Sequence, residues 1–435
     1  MKVLWFTLTP CGAGKKLTPE NFIAGWLASL EQQIKLDKGI DLHVCFYYNG
    51  EIESFVHESV TYHPIKRGRG KLKVNKFIDR LSLFNSQRDK PYIAKLTDVV
   101  EKVKPDVIHV HGCEENFGLV QDFTNIPLVI SIQSLLNPYV EKFFSGIPLS
   151  IASKHEKLKS KLLFDSAKNQ FYLFSMWANR EKKILKPAKF IIGRTNWDKR
   201  ITRILAPNSR YYIGNEIMRD AFYEKKWSKT IFDEKISLVS TISGGLYKGL
   251  ESVLKVASIL SEYKFNFEWL IIGQLEHDDY PCMIKNWLDK DFIKTNVKLL
   301  GKKSEIEVAD ILCQSDIYCQ VSHIENSPNS VCEAMLLGLP IVATFAGGTD
   351  SIIQNSVEGI LVQDGDSLSM AGAVIEMAKN FDKSKSYGDH ARKTALIRHN
   401  REKVAHEIID VYKNILIVNE SNHGEIEDID HYAVL

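Results

Sequence analysis

The residues best placed to do chemistry lie in Ser322-His323-Ile324-Glu325-Asn326-Ser327-Pro328-Asn329-Ser330-Val331-Cys332-Glu333, where two glutamates stand eight positions apart across a polar turn. A carboxylate there can accept two hydroxyl hydrogen bonds at once. The turn should enter a helix near Ser330 that ends at Gly338, with Pro340 opening another strand. Backbone N–H groups around Ser330 and Val331 would then form a helix N-terminus, a ready site for a phosphate. Taken alone, Ser330 and Glu333 equally spell a capping box, S-x-x-E, with Glu325 a solvated loop carboxylate. A second candidate is Ser243-Gly244-Gly245-Leu246-Tyr247-Lys248-Gly249. Its glycines let backbone approach a phosphate and Lys248 supplies a point charge, although such turns are often merely structural.

In the first half, Thr9-Pro10-Cys11-Gly12-Ala13-Gly14-Lys15-Lys16 is glycine-rich but is not a Walker A loop, because Thr9 replaces the first Gly and Lys16 the Ser/Thr. Alternation along Asp106-Val107-Ile108-His109-Val110-His111-Gly112 puts both histidines on one face. His111, nearer the strand end, is the better site candidate; a satisfied core histidine is the other reading of each. Arg194, in Gly193-Arg194-Thr195-Asn196-Trp197-Asp198, emerges just after a strand and can reach a cleft, while Thr195 reads as a helix N-cap and Trp197 as packing. Asp364-Gly365-Asp366 has D-x-D spacing but sits in a late surface turn and is not read as a metal site.

These residues need elements to hold them. Apolar runs predict strands at 3–8, 42–48, 105–112, 126–132 and 189–193, then at 236–242, 267–272, 297–300, 317–321 and 341–344. Helical spacing falls between them, as in Phe22, Ile23, Trp26, Leu27, Leu30 and Ile34 behind a Thr18-Pro19-Glu20 start. Strands alternating with helices argue for βαβ units, parallel sheets and a ligand at the carboxyl ends of the strands. A long amphipathic helix is expected over 401–418 and an acidic tail over 421–435.

The 435 residues are 44% hydrophobic and 25% charged, an ordinary globular balance that excludes collagen-like, coiled-coil and disordered classes. No apolar run reaches the length of a spanning helix, and the N-terminal run reads as a first buried strand rather than a signal peptide. Seven cysteines, an odd number without a C-x-x-C pair, fit a reducing compartment better than a disulfide framework. The net charge of +2 hides a split: residues 1–215 carry +13 and the remainder −11. One basic tract, from Lys66 through Arg67, Arg69 and Lys71 to Lys76, packs six cations into eleven residues. Another, Lys154 to Lys161, precedes the aromatic Phe171-Tyr172-Leu173-Phe174-Ser175-Met176-Trp177. Such tracts suit anionic lipid headgroups or a solvated face; no nucleic-acid motif accompanies them.

With Ala334-Met335 and Gly338-Leu339-Pro340-Ile341-Val342-Ala343-Thr344 following, the E-x7-E spacing resembles the donor-site signature of the family 4 (group 1) glycosyltransferases, retaining enzymes of the GT-B fold. The resemblance covers about residues 1–418. It implies that Glu325 contacts hydroxyls of the donor sugar and Glu333 those of the ribose, with Asn326, Ser330 and Val331 completing that loop. The Gly245–Lys248 loop is similar to the family's diphosphate loop but lacks its Arg, for which Arg194 is a candidate replacement. Gly12 and Gly14 lie where relatives close a loop over donor phosphates, and Gly347-Gly348 where the donor pocket is completed. Gln133 stands where many relatives carry a His, and Ile213-Gly214-Asn215-Glu216 reads as the interdomain hinge. The Arg194 segment is similar to an R-T-x-W-D signature of a bacterial surface-polysaccharide subgroup.

The expectation is therefore an α/β GT-B protein, two doubly wound Rossmann-like domains facing a cleft. Residues 1–214 would form the acceptor domain, 215–400 the donor domain, 401–420 a helix crossing back to the first domain and 421–435 a tail. The expected activity is transfer of a hexosyl group from a nucleotide sugar to a glycan or polyprenyl-linked saccharide acceptor, in capsule, O-antigen or exopolysaccharide assembly. Glu325, Lys248 and His111 are the expected catalytic-site residues, and no metal or other cofactor is expected. Lys66, Arg67, Arg69 and Lys71 would meet the acceptor or an anionic membrane surface, placing the chain in the cytoplasm at the inner face of the membrane, without nucleic acid. A sugar-nucleotide epimerase of similar fold and a non-catalytic lipid- or polysaccharide-binding module are the alternatives.

Overall fold

The computed structural model describes residues 1–17, 25–67, 89–162 and 165–421. The helix start at Thr18–Glu20 with Phe22 and Ile23, the cations Arg69 and Lys71, and the tail from 422 onward lie outside the described residues.

Two sheets organise the chain. The first contains β1 (Lys2–Thr7), β2 (Asp41–Tyr48), β3 (Phe55–His57), β4 (Val60–Lys66), β5 (Val107–His111), β6 (Leu128–Ser131), β7 (Phe190–Gly193) and β8 (Arg210–Ile213), in the order β3-β4-β2-β1-β5-β6-β7-β8. The second contains β9 (Ile236–Thr241), β10 (Phe267–Ile272), β11 (Val297–Gly301), β12 (Ile317–Gln320), β13 (Ile341–Phe345) and β14 (Ile360–Gln363), in the order β11-β10-β9-β12-β13-β14. Every pair is parallel except β3 with β4. The strand order reverses between β1 and β5 in one sheet and between β9 and β12 in the other. Crevices open outside the carboxyl ends at such switch points, because successive crossovers leave in opposite directions.

The central strands read from the sequence as continuous apolar runs because both faces are covered by helices. Four strands gave no such run: β3, β4, β8 and β14. Three of them are sheet edges with few or no buried residues, as β8 shows, exposed at Arg210 and Ile213 and only half-buried at Tyr211 and Tyr212. In β4 the buried Val60, Tyr62 and Ile65 are separated by Thr61, His63 and Pro64 and run directly into the basic tract at Lys66, which masked the strand.

A helix over Arg401–Ser421 packs against the first sheet, with Val404, Ile408, Tyr412 and Ile415 buried beside Val3 and Trp5. The Tyr412 hydroxyl accepts from Trp5 Nε1 at 3.0 Å and shares a hydrogen bond with His109 Nδ1 at 2.6 Å. His109 Nε2 meets Ser131 Oγ at 2.6 Å, so both ring nitrogens are satisfied. Burial lowers this imidazole to about 3, which makes His109 a neutral core residue. Among the described residues no helix is long and apolar enough to cross a membrane.

Tyr412→Phe would strip the Trp5 N–H and His109 of their shared partner inside the core. It should lower unfolding stability by about 1–3 kcal/mol in urea titrations; no change would mean the helix is held by its apolar face alone.

Candidate active site

A cavity of about 590 Å³ lies between the carboxyl ends of the two sheets. The first sheet supplies Leu8 after β1, Glu114 and Glu115 after β5, Gln133 and Ser134 after β6 and Arg194 after β7; the second supplies residues 241–243 after β9, 319–322 around the end of β12, and Glu325, Asn329 and Ser330 beyond it. Both switch points thus open into one space. Lys248 also lines it, and Lys248 Nζ lies 2.7 Å from Glu325 Oε1. Burial pulls the ammonium pKa down, but Glu325 outweighs it and holds Lys248 above its ordinary value.

Backbone geometry fixes this pair. Lys248 ends a short turn, Leu246–Lys248, between Gly245 at φ 133° and Gly249 at φ 78°, where a side chain would strain the chain. A Cβ on Gly249 would overlap the Val321 carbonyl oxygen, so the turn is pressed onto the end of β12. On the other side the Gly348 N–H donates to the Glu325 carbonyl at 2.9 Å, and a Cβ on Gly347 would overlap that same oxygen.

The helix behind the loop, Asn329–Leu337, stops at Gly338 in the left-handed region. Its N-cap is Pro328, with no side-chain cap, so the S-x-x-E capping box does not form. Glu333 turns instead to Arg219, which grips it in bidentate fashion (Nε to Oε1 2.7 Å, Nη2 to Oε2 2.8 Å). Burial raises the Glu333 pKa against the pull of that guanidinium. The Val331 N–H donates to the Pro328 carbonyl at 2.9 Å and Val331 itself is core, so Asn329 and Ser330 present the helix start to the cavity.

Other expected site residues serve the framework. Asn326 Oδ1 accepts from Thr195 Oγ1 at 2.8 Å and its amide donates to the Gln133 carbonyl at 3.3 Å, so it ties the two sheets together outside the cavity lining. Arg194 reaches the cavity, but its charge faces the fully buried Glu216 at 3.0 Å and its guanidinium stacks 4.2 Å over Trp26. Burial would raise the Glu216 pKa; Arg194, Arg398 and His399 together bring it below the ordinary carboxylate value. Thr195 caps the next helix with Asp198 in a reciprocal box, as its N-cap reading required.

His111 lies outside the cavity lining, because it is enclosed by the rings of Trp5, Trp26 and His109 and is fully buried. Burial holds it well below its ordinary value, so it is neutral at pH 7. Gly12 and Gly14 are buried and neither lines the cavity; the Gly12 N–H donates to the Glu31 carboxylate at 3.1 Å, which folds that loop onto its own domain. Lys66 pairs with Glu51, and Arg67 pairs with Glu115 at 2.9 Å while stacking on Tyr47, so neither cation stands apart for a headgroup. Asp364 faces Lys142 at 3.3 Å and Asp366 caps the helix Ser367–Lys379. Sequence reading missed Arg219, which has no motif, and Glu114, whose only signal is its place just after a switch-point strand. It also missed that Tyr139, Phe174 and Trp177 form an aromatic side of the cavity.

Two parallel-sheet domains sharing a cavity at their carboxyl ends define a GT-B architecture. Over 96% of this chain and all of that one, sucrose-phosphate synthase from Thermosynechococcus elongatus superposes with TM-score 0.68 at 12% identity. Anabaena HepE solved with UDP-glucose superposes with TM-score 0.62 at 15% identity, covering 95% of this chain and all of that one. Residues 222–394 match the family model "Glycosyl transferases group 1". Over that stretch, which is less than half of the chain, the sequence is similar to the group 1 glycosyltransferases. Among curated relatives, N-acetyl-alpha-D-glucosaminyl L-malate synthase of Bacillus anthracis is 28% identical over 33% of this chain and 37% of its own length. The amylovoran biosynthesis glycosyltransferase AmsK of Erwinia amylovora is 28% identical over 30% of this chain and 33% of its own length. The chain therefore spans about a third of the length of these relatives in alignment.

Removing Arg219 isolates a buried carboxylate. Arg219→Ala should cost about 3–5 kcal/mol in denaturant unfolding, with much of it recovered by the double variant Arg219→Ala/Glu333→Met. A loss near zero would mean that solvent reaches Glu333.

Proposed function

We propose that this protein is a retaining hexosyltransferase that moves a sugar from a nucleotide sugar to a hydroxyl of a glycan or polyprenyl-linked saccharide, in assembly of a capsule, O-antigen or exopolysaccharide. The Lys248–Glu325 contact, inside a cavity fed by both switch points, is the observation that carries the reading. As the bond between sugar and diphosphate breaks, negative charge grows on the leaving group and needs a prearranged positive potential. Lys248 and the helix start at Asn329 and Ser330 supply it, without a metal. An arriving diphosphate competes with Glu325 for the ammonium. The carboxylate so released accepts hydroxyl hydrogen bonds from the donor sugar. The acceptor hydroxyl attacks from the same face and its proton passes to the departing phosphate, so no protein base is assigned. The basic first domain, with exposed Leu158 beside Lys154, Lys157 and Lys161, supports a place in the cytoplasm against an anionic membrane face.

Thermal stability in a panel of nucleoside diphosphates, with and without a chelator, tests the donor site. One base should raise the transition, by about 2.7 kcal/mol of stabilisation at a hundredfold excess over Kd, regardless of chelation. Glu325→Gln should cut transfer about 100-fold or more yet keep or raise nucleoside diphosphate affinity, since Lys248 is set free. Undiminished transfer would remove Glu325 from the mechanism.

A further inference from the structure

Among the described residues most buried carboxylates are answered by hydrogen bonds or by a basic neighbour; Glu216, whose oxygens accept no hydrogen bond, is answered by the charges of Arg194 and Arg398. Glu325, Glu333 and Glu216 each face a basic side chain, and Glu251 meets His323 Nε2 at 2.7 Å. Glu31 and Glu181 form no ion pair among the described residues, but both oxygens of each accept hydrogen bonds: Glu31 from the Gly12 N–H and the Tyr62 hydroxyl, Glu181 from Cys113, the Leu136 N–H and Asn137. Glu114 differs. Its Oε1 accepts from the Ser134 N–H and hydroxyl at 3.0 and 2.6 Å, whereas its Oε2 is buried with no hydrogen-bond partner among the described residues.

Beside it, Gln133 Nε2 is likewise buried and unpartnered. The two groups are neighbours: a Cβ placed on Gly112 would overlap Glu114 Oε2 and lie 3.6 Å from the Gln133 amide carbon. Both residues line the same cavity as the Lys248–Glu325 pair and the aromatic Tyr139, Phe174 and Trp177. An unmet acceptor and an unmet donor left side by side in a low-dielectric wall cost free energy until one group answers both. A hydroxyl does so, donating to the carboxylate and accepting from the amide. An ammonium leaves the amide N–H unmet, and a carboxylate is repelled by Glu114. The aromatic side offers a face for the apolar surface of a sugar ring.

We infer that Glu114 and Gln133 form a hydroxyl-recognition subsite for an uncharged saccharide, and that this subsite rejects anionic substrates. The inference rests on the glycosyltransferase reading, and the hydroxyl can belong to the donor sugar or to the acceptor. Burial also raises the Glu114 pKa, so binding through its ionised form should weaken as pH falls through that raised value.

The test uses the full chain with UDP, UDP-glucose, methyl glycosides of neutral hexoses and L-malate as probes, or the GDP pair if GDP is the nucleotide that binds. Calorimetry gives nucleotide and nucleotide-sugar affinity; saturation-transfer NMR in the presence of nucleotide gives glycoside binding. Glu114→Gln keeps the shape of the side chain and Gln133→Leu removes the amide, and both are checked for unchanged melting. Each variant should keep nucleoside diphosphate affinity within twofold. Loss of about tenfold in the added affinity of UDP-glucose over UDP assigns the hydroxyl to the donor. Loss of the glycoside signal with donor affinity intact assigns it to the acceptor. If neither moves, or if L-malate binds the wild type as well as the glycosides do and loses affinity in Gln133→Leu, the inference is overturned. Failure of every nucleotide to bind wild type would overturn the parent reading and this one with it.

Discussion

Charge burial at the meeting of the two sheets governs how this protein is built. Carboxylates sit where water is largely excluded, and a lone ion there would be several kcal/mol unfavourable. Each therefore dictates a partner, and the partners come from distant segments: Lys248 for Glu325, Arg219 for Glu333, Arg194 for Glu216. Of these pairs, the first lines the cavity and can be exchanged for a ligand's charges. The second lies away from the cavity lining and locks the helix Asn329–Leu337 to the segment joining the two sheets. A cavity-lining pair and a framework pair thus share the same chemistry and differ in access.

That difference explains which parts of the site were legible in the residues. Strand, loop and helix after β12 follow from an apolar run, a polar turn and a glycine stop, so the placing of Glu325 and Lys248 near one another could be reached from motif and topology. The fate of Glu333 could not. Its spacing is that of a capping box or a ligand contact, and only the fold brings Arg219 within reach across more than a hundred residues. Asn326 shows the same limit, because its amide is used up by Thr195 and Gln133, on strand ends that periodicity cannot bring together.

The fold was legible where strands are covered on both faces and obscure where they are not. Central strands carry their burial in their composition; β3, β8 and β14 are edges whose half-exposed residues blur into turns. His111 is the complementary case. Its position near a strand end and its chemistry both suggested a site, yet it is fully buried among the rings of Trp5, Trp26 and His109 and lies outside the cavity lining. A histidine's reactivity depends on what covers the strand end, and here that cover is the rings of Trp5 and Trp26.

Glu114 follows from the same logic taken one step on. Of the carboxylates that line the cavity, Glu115 and Glu325 have compelled a cation, and the Glu114 oxygen left without a partner among the described residues is better explained by a group that comes and goes than by an oversight of packing. Its place supports this, since it follows β5 at the first sheet's switch point as Glu325 follows β12 at the second's. The two domains would then meet their substrates in the same way, each with a carboxylate just beyond the reversal of its strand order. They differ in what stands beside it. The second domain adds a lysine, which suits a leaving diphosphate, and the first adds a neutral amide, which suits a hydroxyl.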